Sequence, residues 1–312
     1  MPPSVIYMGT PDFAVPPLVA LHHAGYTVPM VVTQPDRPKG RGRALTPPPV
    51  KQAALGFSYP ILQPETIRDP AIIEILKSIN PDFLVVVAFG QILPVAVLQI
   101  PKHGAINVHA SLLPRYRGPA PIQWAMIRGE VETGITTILM DNGVDTGDML
   151  LKARTNIGPE ETAETLHFRL SQLGAEVLIE TLSKLLEGSI FPRAQKHDEA
   201  TYAPMLKKED GRINWHQSVL RLDAFVRAMT PWPGAFCFWD GKRLKILKAR
   251  PIKGPVPLVA PGTLVSRFPD ELCVAAEDGL LLIEEIQSQS GRPMASKDFL
   301  RGNRLLPGME LT

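Results

Sequence analysis

Five consecutive apolar residues, FLVVV at positions 83–87, form the feature that most restricts the fold of this chain. A strand that is apolar at every position is typical of one covered on both faces, as strands in parallel sheets are. Similar short runs occur at 5–8, 28–33 and 105–108, with helix-like periodicity between them. This alternation predicts an α/β domain with a Rossmann-like parallel sheet. Right-handed crossovers then place a ligand site at the carboxyl ends of the strands.

The second part of the chain has a different pattern. The longest helical periodicity covers residues 161–187 and is followed by a polar, irregular stretch. A helix is expected over 218–229, and five short strand-like runs separated by turn residues follow between 235 and 286. This spacing favours a small β-barrel of the oligonucleotide-binding (OB) type. We therefore expect a first domain over 1–188, a linker over 189–206 and a barrel domain over 207–312.

Charge is distributed unevenly between the two parts. Residues 1–206 contain 17 Lys and Arg against 19 Asp and Glu, a net charge of −2. Residues 207–312 contain 16 against 12, a net charge of +4. The excess in the second part is compatible with an anionic partner and equally with an ordinary solvated surface.

Several classes of protein are disfavoured by the composition. The apolar runs are far shorter than the roughly 18–20 residues of a membrane span, so no membrane partner is expected. The first residues, MPPSVIYMGT, lack the basic region and cleavage site of a secretion signal, which makes the cytoplasm the expected location. Cys237 and Cys273 form no C-x-x-C pair, and we expect them to be small buried side chains.

Asn107 and His109 are the first candidates for chemistry. Both lie at the end of a predicted strand, and because side chains alternate along a strand, theirs point to the same side. A lone histidine is more often structural, but a polar partner two residues away favours a site. The loop that follows, ASLLPRYRG at 110–118, could line an apolar pocket with a few polar anchors.

An acidic, glycine-rich loop, DNGVDTGD, occupies residues 141–148. It lacks the spacing of a calcium-binding EF-hand loop, so we expect no metal. A carboxylate from this loop that faces the imidazole would orient the ring and stabilise its protonated form.

Two further loops are candidates for ligand contact. The turn at residues 9–14 follows the first predicted strand but lacks both G-x-G-x-x-G and the Walker lysine, which disfavours a dinucleotide cofactor. Residues 36–43 place four basic side chains within seven positions, spaced by glycine and proline. Such a long basic loop either contacts phosphates or is simply solvated.

Together these segments resemble the methionyl-tRNA formyltransferases over nearly the whole chain. INVHASLLP at 106–114 and DTGD at 145–148 are similar to the signature of folate-dependent formyltransferases in general. Features typical of the tRNA family are the turn at 9–14, the basic loop at 33–43, TPWPG at 230–234 and the overall length. Glycinamide ribonucleotide formyltransferases typically have one domain and would end before residue 207.

The resemblance implies transfer of a formyl group from 10-formyltetrahydrofolate, a co-substrate, to the methionine amino group of initiator tRNA. It implies three catalytic residues. Asn107 and protonated His109 would donate hydrogen bonds to the oxyanion, and His109 could also protonate the leaving folate nitrogen. Asp145 would keep His109 charged and accept the proton of the amine.

The resemblance also implies which domains and residues bind the substrates. The first domain would be catalytic and the barrel domain would bind tRNA, in a protein that works as a monomer. The implied folate-binding residues are Phe89, Gln91, Leu93, Ser111, Leu112, Leu113 and Pro114. The implied tRNA-binding residues are Lys39, Arg41 and Arg43.

Two alternatives remain open from the sequence. The acceptor could be a small amine such as an amino sugar nucleotide, although the basic second domain argues against this. The chain could also be a catalytically silent RNA-binding protein that uses the barrel and the basic loop. The polar trio on one predicted pocket wall argues against that possibility.

Overall fold

The computed structural model describes residues 2–39, 44–254, 258–266, 271–289 and 291–312. The chain divides into two compact units, each built from three segments. The first unit comprises Met1–Pro121, Glu132–Asn156 and His167–Ala203. The second comprises Ile122–Val131, Ile157–Leu166 and Pro204–Thr312.

The strands of the first unit begin with the apolar runs that the sequence indicates. In chain order they are β1 (Ser4–Gly9), β2 (Thr27–Val32), β3 (Arg37–Lys39), β4 (Ala44–Thr46), β5 (Ile61–Leu62), β6 (Phe83–Val87), β7 (Ala105–His109), β8 (Glu132–Leu139) and β9 (Asp148–Asn156). Seven of them form one sheet in the order β5-β2-β1-β6-β7-β8-β9. The pairs from β5 to β7 are parallel, which confirms the predicted Rossmann-like sheet.

Two antiparallel strands extend this sheet beyond the prediction. β8 pairs antiparallel with β7, and β9 pairs antiparallel with β8. From Leu151 onward, β9 alternates between half-buried and exposed positions rather than being apolar throughout, as expected of a strand with one solvated face. The sheet is therefore mixed, and β7 is the parallel strand that lies next to the antiparallel strands β8 and β9.

The helices that lie between the parallel strands are α1 (Val15–His23), α2 (Pro49–Gly56), α3 (Pro70–Ile79) and α4 (Val95–Leu98). Two further helices are α5 (Pro121–Ile127), which follows β7 and belongs mostly to the second unit, and α6 (Ala163–Leu186), which follows β9. The limits of α3 follow from its sequence. The Asp69 side chain accepts a hydrogen bond from the Ala71 N–H at 2.9 Å, and Asn80 ends the helix in the left-handed conformation.

Asp82 fixes the entry of β6 against β1. Its carboxylate accepts hydrogen bonds from the Ser4 backbone N–H at 2.7 Å and from Lys102 Nζ at 2.9 Å. These contacts, that with Ser4 first, lower the pKa of Asp82 to about 2. The contact immediately precedes the Val5–Phe83 pair, so it supports the register of the two most buried strands.

The last segment of the second unit, Pro204–Thr312, contains a helix and then a run of short strands. The elements are α7 (Val219–Met229), β10 (Ala235–Trp239), β11 (Lys242–Lys253), β12 (Leu264–Val265), β13 (Leu272–Ala275), β14 (Gly279–Ser288), β15 (Met294–Ala295) and α8 (Ser296–Gly302). The six strands form an antiparallel sheet in the order β10-β11-β14-β13-β12, with β15 paired to β14. This half-barrel sheet confirms the predicted C-terminal barrel class of fold.

The two cysteines lie inside this unit, as expected. Cys237 on β10 and Cys273 on β13 are both buried, and neither forms a disulfide. Burial raises the pKa of the Cys237 thiol to about 12.

The basic segment differs from the expected continuous loop. Its described parts form the short strands β3 and β4, which pair antiparallel with Arg37 opposite Thr46.

No helix among the described residues is long and apolar enough to cross a membrane.

Candidate active site

Strand β7 places Asn107 and His109 on one face, two positions apart. Asn107 lies opposite Val86 of the parallel strand β6, and His109 lies opposite Thr136 of the antiparallel strand β8. Both polar residues therefore lie at the carboxyl end of a parallel strand, where an α/β sheet typically binds ligands. His109 is 6% exposed, whereas Asn107 is half-buried.

Asp145 reaches the same position from the loop between β8 and β9. Its Oδ1 accepts a hydrogen bond from Asn107 Nδ2 at 3.2 Å, and its Oδ2 accepts one from the Gly118 N–H at 2.8 Å. Oδ2 also lies 3.5 Å from His109 Nδ1. The three residues that the sequence predicts to be catalytic thus meet around one carboxylate.

Two glycines allow the close backbone approach that this arrangement needs. Gly118 has a φ of +111°, and a Cβ there would lie 2.8 Å from the Ala203 carbonyl oxygen. A Cβ on Gly147 would lie 2.0 Å from the Leu139 carbonyl oxygen. Asp145 itself has a φ of +54°, which Asp and Asn adopt more readily than most residues. The residue types of the DTGD motif therefore help to set the position of the carboxylate.

Both ring nitrogens of His109 face acceptor oxygens. Nε2 lies 2.8 Å from the Tyr116 carbonyl oxygen, and Nδ1 faces Asp145. A carbonyl oxygen only accepts, so Nε2 carries a hydrogen in this arrangement. Nδ1 faces the Asp145 carboxylate, which is an acceptor for a hydrogen on that nitrogen.

The loop at residues 111–114 is fixed by side chains of β8 and β9. Thr136 Oγ1 donates to the Ser111 carbonyl at 2.7 Å and accepts from the Leu113 N–H at 3.1 Å. The Lys152 ammonium donates to the Leu113 carbonyl. Burial is the main cause that lowers the pKa of Lys152 from its ordinary value.

The residues that the resemblance assigns to folate lie in two segments. Phe89 and Leu93 are 2% and 4% exposed and belong to a hydrophobic core cluster. The Gln91 side chain accepts a hydrogen bond from the Ile67 N–H at 2.8 Å, so it holds a neighbouring loop. The second segment contains three buried residues and the half-buried Leu112; the buried ones are Ser111, Leu113 and Pro114. Folate contacts at these positions stay a prediction, and backbone groups would make most of them.

The predicted tRNA-binding residues lie on or beside the β3–β4 pair. Lys39 is the last residue of β3, and Arg41 and Arg43 lie outside the described residues. These contacts also stay a prediction.

Two buried polar residues beside the trio give little signal in the sequence. Arg117 is 2% exposed and Gln195 is 5% exposed. Gln195 Nε2 donates to the carbonyl oxygens of Asp145 at 2.8 Å and Gly147 at 2.7 Å. Arg117 belongs to the loop that follows His109, which is a weak local indication. Gln195 lies in an irregular polar stretch, and no pattern there distinguishes it.

The arrangement contains the two kinds of group that acyl transfer needs, a hydrogen-bond donor for an oxyanion and a pair that transfers protons. Asn107 uses one amide hydrogen on Asp145, which leaves the second available to an oxygen that acquires negative charge. The Asp145–His109 pair can accept and return a proton. The arrangement is therefore suited to a reaction in which a carbonyl carbon passes between two nucleophiles.

Comparison with known proteins agrees with this chemistry. The Formyl transferase family model matches residues 4–182, and the model of the Formyl transferase C-terminal domain matches residues 205–304. A methionyl-tRNA formyltransferase from Geobacter metallireducens is 51% identical over 308 residues, which cover 99% of this chain and 98% of the relative.

Solved structures share the fold at lower sequence identity. The methionyl-tRNA formyltransferase from Clostridium thermocellum matches with a TM-score of 0.55 at 19% identity, over 79% of this chain and 92% of that one. An N-formyltransferase from Helicobacter canadensis, in complex with folinic acid and dTDP-3-aminofucose, matches with a TM-score of 0.65 at 18% identity. That match covers 91% of this chain and 98% of the other. Because both formyl transferase models match and half of the residues are identical over a full-length relative, the chain belongs to the methionyl-tRNA formyltransferase family.

Proposed function

We propose that this chain transfers the formyl group of 10-formyltetrahydrofolate to the α-amino group of methionyl initiator tRNA, giving N-formylmethionyl-tRNA. The observation that carries the proposal is the Asp145 carboxylate, which accepts from Asn107 and faces His109 at the end of β7. Family membership supports the donor and the acceptor. The product is the aminoacyl-tRNA that starts translation, so we also propose a cytoplasmic protein.

Asn107 has the role of oxyanion donor. When the neutral amine attacks the formyl carbon, the formyl oxygen becomes negatively charged. The free N–H of Asn107 Nδ2 can donate to that oxygen while the other N–H stays on Asp145. Loss of one such donor typically raises the barrier by about 2.7–4 kcal/mol.

Asp145 and His109 handle the proton. Bond formation to nitrogen requires the amine to lose a proton, and release of the folate nitrogen requires that nitrogen to gain one. Asp145 accepts the first proton, directly or through water, and the pair returns one to the leaving nitrogen, so no net proton is consumed. General acid–base assistance of this kind contributes about 10²–10⁴-fold to the rate.

His109 acts mainly through its charge in the arrangement described. Its Nε2 hydrogen is bonded to the Tyr116 carbonyl and its Nδ1 faces Asp145. Direct donation from His109 to the oxyanion or to the leaving nitrogen therefore requires the ring to give up the Tyr116 contact. We assign the first oxyanion contact to Asn107 for this reason.

We propose that the domain roles follow the sequence limits: catalysis by 1–188, tRNA binding by 207–312 and a connection over 189–206. The net charge of +4 in the last part supports contact with RNA phosphates. Lys39, Arg41 and Arg43 are proposed to contact the acceptor end of the tRNA. We further propose that the protein is a monomer, which the mass in solution tests.

The decisive assay combines the purified protein with 10-formyltetrahydrofolate and charged initiator tRNA at pH 7. Formylated methionyl-tRNA is the expected product, and deacylated tRNA should inhibit its formation. A parallel reaction supplies an amino sugar nucleotide as the only acceptor. Absence of product with competent tRNA, or faster reaction with the sugar and no inhibition by tRNA, would overturn the proposal. Folate-independent tRNA binding without transfer would instead indicate a silent RNA-binding protein.

A further inference from the structure

The polar stretch after α6 is built into the first unit by hydrogen bonds. We call residues 193–203 the strap. At its start, Arg193 pairs with Met149 of β9 through two backbone hydrogen bonds of 2.8 and 2.9 Å. At its end, Arg117 donates its N–H to the Thr201 carbonyl at 2.9 Å and accepts from the Ala203 N–H at 2.7 Å. The strap is therefore held at its start on β9, which follows the Asp145 loop, and at its end on the loop that follows β7.

Gln195 of the strap uses every hydrogen-bonding position of its amide. Its two N–H groups are directed to the carbonyl oxygens of Asp145 and Gly147 at 2.8 and 2.7 Å. Its Oε1 accepts from Arg117 Nε at 3.1 Å and from Arg117 Nη2 at 2.7 Å. A buried amide is costly unless it is fully paired, and at 5% exposure this one is. Because both donors go to the loop that carries Asp145, Gln195 fixes the backbone of that loop.

The loop that carries Asp145 is held by two sets of hydrogen bonds, and both lead to the consecutive residues Arg117 and Gly118. The Asp145 carboxylate accepts from the Gly118 N–H, while the Asp145 carbonyl is held by Gln195, which Arg117 holds in turn. This closes a ring that starts and ends at Asp145 and passes through consecutive residues 117 and 118. Asp145 has a φ of +54°, a sparsely populated conformation that the surrounding contacts have to maintain.

Resting on the proposed function, we infer that Gln195, oriented by Arg117, is a positioning residue for Asp145 in formyl transfer. Its hydrogen bonds go to Asp145, Gly147 and Arg117, so it acts on the trio through Asp145. It sets the position from which Asp145 accepts the amine proton and faces His109. The strap thus takes part in catalysis rather than acting only as a connection between two units.

The test is the near-isosteric variant Gln195→Glu. The carboxylate keeps its acceptor toward Arg117 but replaces both N–H donors with oxygen that faces two carbonyl oxygens. We expect kcat to fall about 10–100-fold, as small displacements of catalytic groups typically do. We expect KM for the folate and for the tRNA to change by less than about 3-fold, because the substrate contacts stay in place.

A double-mutant cycle separates positioning from general damage. In an Asp145→Asn background, Gln195→Glu should change kcat by less than about 3-fold, because residues that act through one another are non-additive. Full additivity of the two losses would overturn the inference, and so would wild-type kcat in the single variant. The milder variant Gln195→Asn keeps the amide but is one methylene shorter, and we expect a smaller loss of kcat in the same direction. It replaces Gln195→Glu in the cycle if the charged variant does not fold.

A matched control shows whether any loss of kcat comes from the position of Gln195 or from a Gln-to-Glu substitution in general. Gln287 Nε2 donates to the Gly291 carbonyl at 3.1 Å in the second unit, so Gln287→Glu introduces the same change elsewhere. We expect it to leave kcat at saturating substrates within about 2-fold of wild type; an equal loss in both variants would argue against a specific role for Gln195.

If the wild-type protein has no formyltransferase activity, the proposed function fails instead. A crystal structure of Gln195→Glu then tests the positioning directly, since an unmoved Asp145 would refute it.

Discussion

The Nε2 atom of His109 lies 2.8 Å from the carbonyl oxygen of Tyr116, an atom that can only accept a hydrogen bond. The histidine is thus held in a form that carries a hydrogen on Nε2. Its other nitrogen faces the Asp145 carboxylate, and the ring is almost fully buried. The proposed mechanism uses this ring as a positive charge beside the carboxylate that accepts the amine proton.

This relationship predicts the effect of His109→Asn. The new amide nitrogen can take the place of Nδ1 and donate to Asp145, but it carries no charge. We expect kcat to fall about 10²–10⁴-fold, the usual contribution of acid–base assistance. Steady-state kinetics at saturating tRNA measures the change, and His109→Ala should be at least as severe. Retention of the wild-type rate by His109→Asn would show that the charge is dispensable.

Asn107→Ala tests the oxyanion donor. The substitution removes the Nδ2 group that donates to Asp145 and the second N–H proposed to meet the developing negative charge. We expect an unchanged fold and a kcat lower by about 10²–10³-fold, with little change in KM for the folate. Circular dichroism and single-turnover rates check both parts. A near-wild-type rate would remove Asn107 from the mechanism.

The parallel part of the fold could be predicted because its signal is local. Residues 83–87 are apolar at every position, and they form the central strand β6 that pairs with β1 and β7. The sequence does not indicate β8 and β9. β8 is buried over most of its length, but a glutamate, a glycine and three threonines interrupt its apolar residues, and β9 mixes polar with apolar residues. The β3–β4 pair was missed for a similar reason: glycine, proline and charged residues dominate that segment.

The site could be predicted only in part, for a related reason. Asn107 and His109 are two positions apart on one strand, so the alternation of the strand brings them together. Asp145 could be assigned only through the resemblance, since 38 residues separate it from Asn107. The contact between Arg117 and Gln195 spans 78 residues and depends on the path of the strap, which no local pattern encodes.

Asp82 predicts a pH-dependent contribution to stability. Its pKa is lowered to about 2, first by the Ser4 N–H and then by Lys102, so the folded state favours the charged carboxylate. Its contribution is therefore fully present above about pH 4 and is lost as the pH falls toward 2. We expect Asp82→Asn to lower the free energy of unfolding by about 1–2 kcal/mol at pH 7.

Denaturant titrations of wild type and Asp82→Asn between pH 7 and pH 3 measure this difference. The gap should narrow as the pH falls below 4, because Asp82 of the unfolded wild-type chain then takes up a proton, which favours unfolding. Glu74→Gln is a suitable control, since the Glu74–Lys77 pair is exposed and should contribute under about 0.5 kcal/mol. A gap that stays constant down to pH 3 would contradict the linkage.

Lys152 offers a test of the predicted folate loop. Its ammonium donates to the Leu113 carbonyl in the segment 111–114, and it is partly buried. Lys152→Met keeps the length of the side chain but removes the donor. We expect KM for 10-formyltetrahydrofolate to rise about 10-fold, the usual loss for a charged hydrogen bond. The exposed Lys184→Met is the control, and an unchanged KM would show that the loop needs no support from Lys152.

A substitution of Arg41 tests whether the basic segment contacts RNA. This residue lies outside the described part of the chain, so the expectation rests on the sequence. Each phosphate contact contributes about one unit to the slope of log K against log salt. Arg41→Ala should therefore raise KM for tRNA and flatten its salt dependence by about one unit, with no change in KM for folate. Lys77→Ala, which removes the same charge from helix α3, should change neither. Equal effects of the two variants would mean that net charge alone attracts the tRNA, and an unchanged KM in Arg41→Ala would reduce the segment to a spacer.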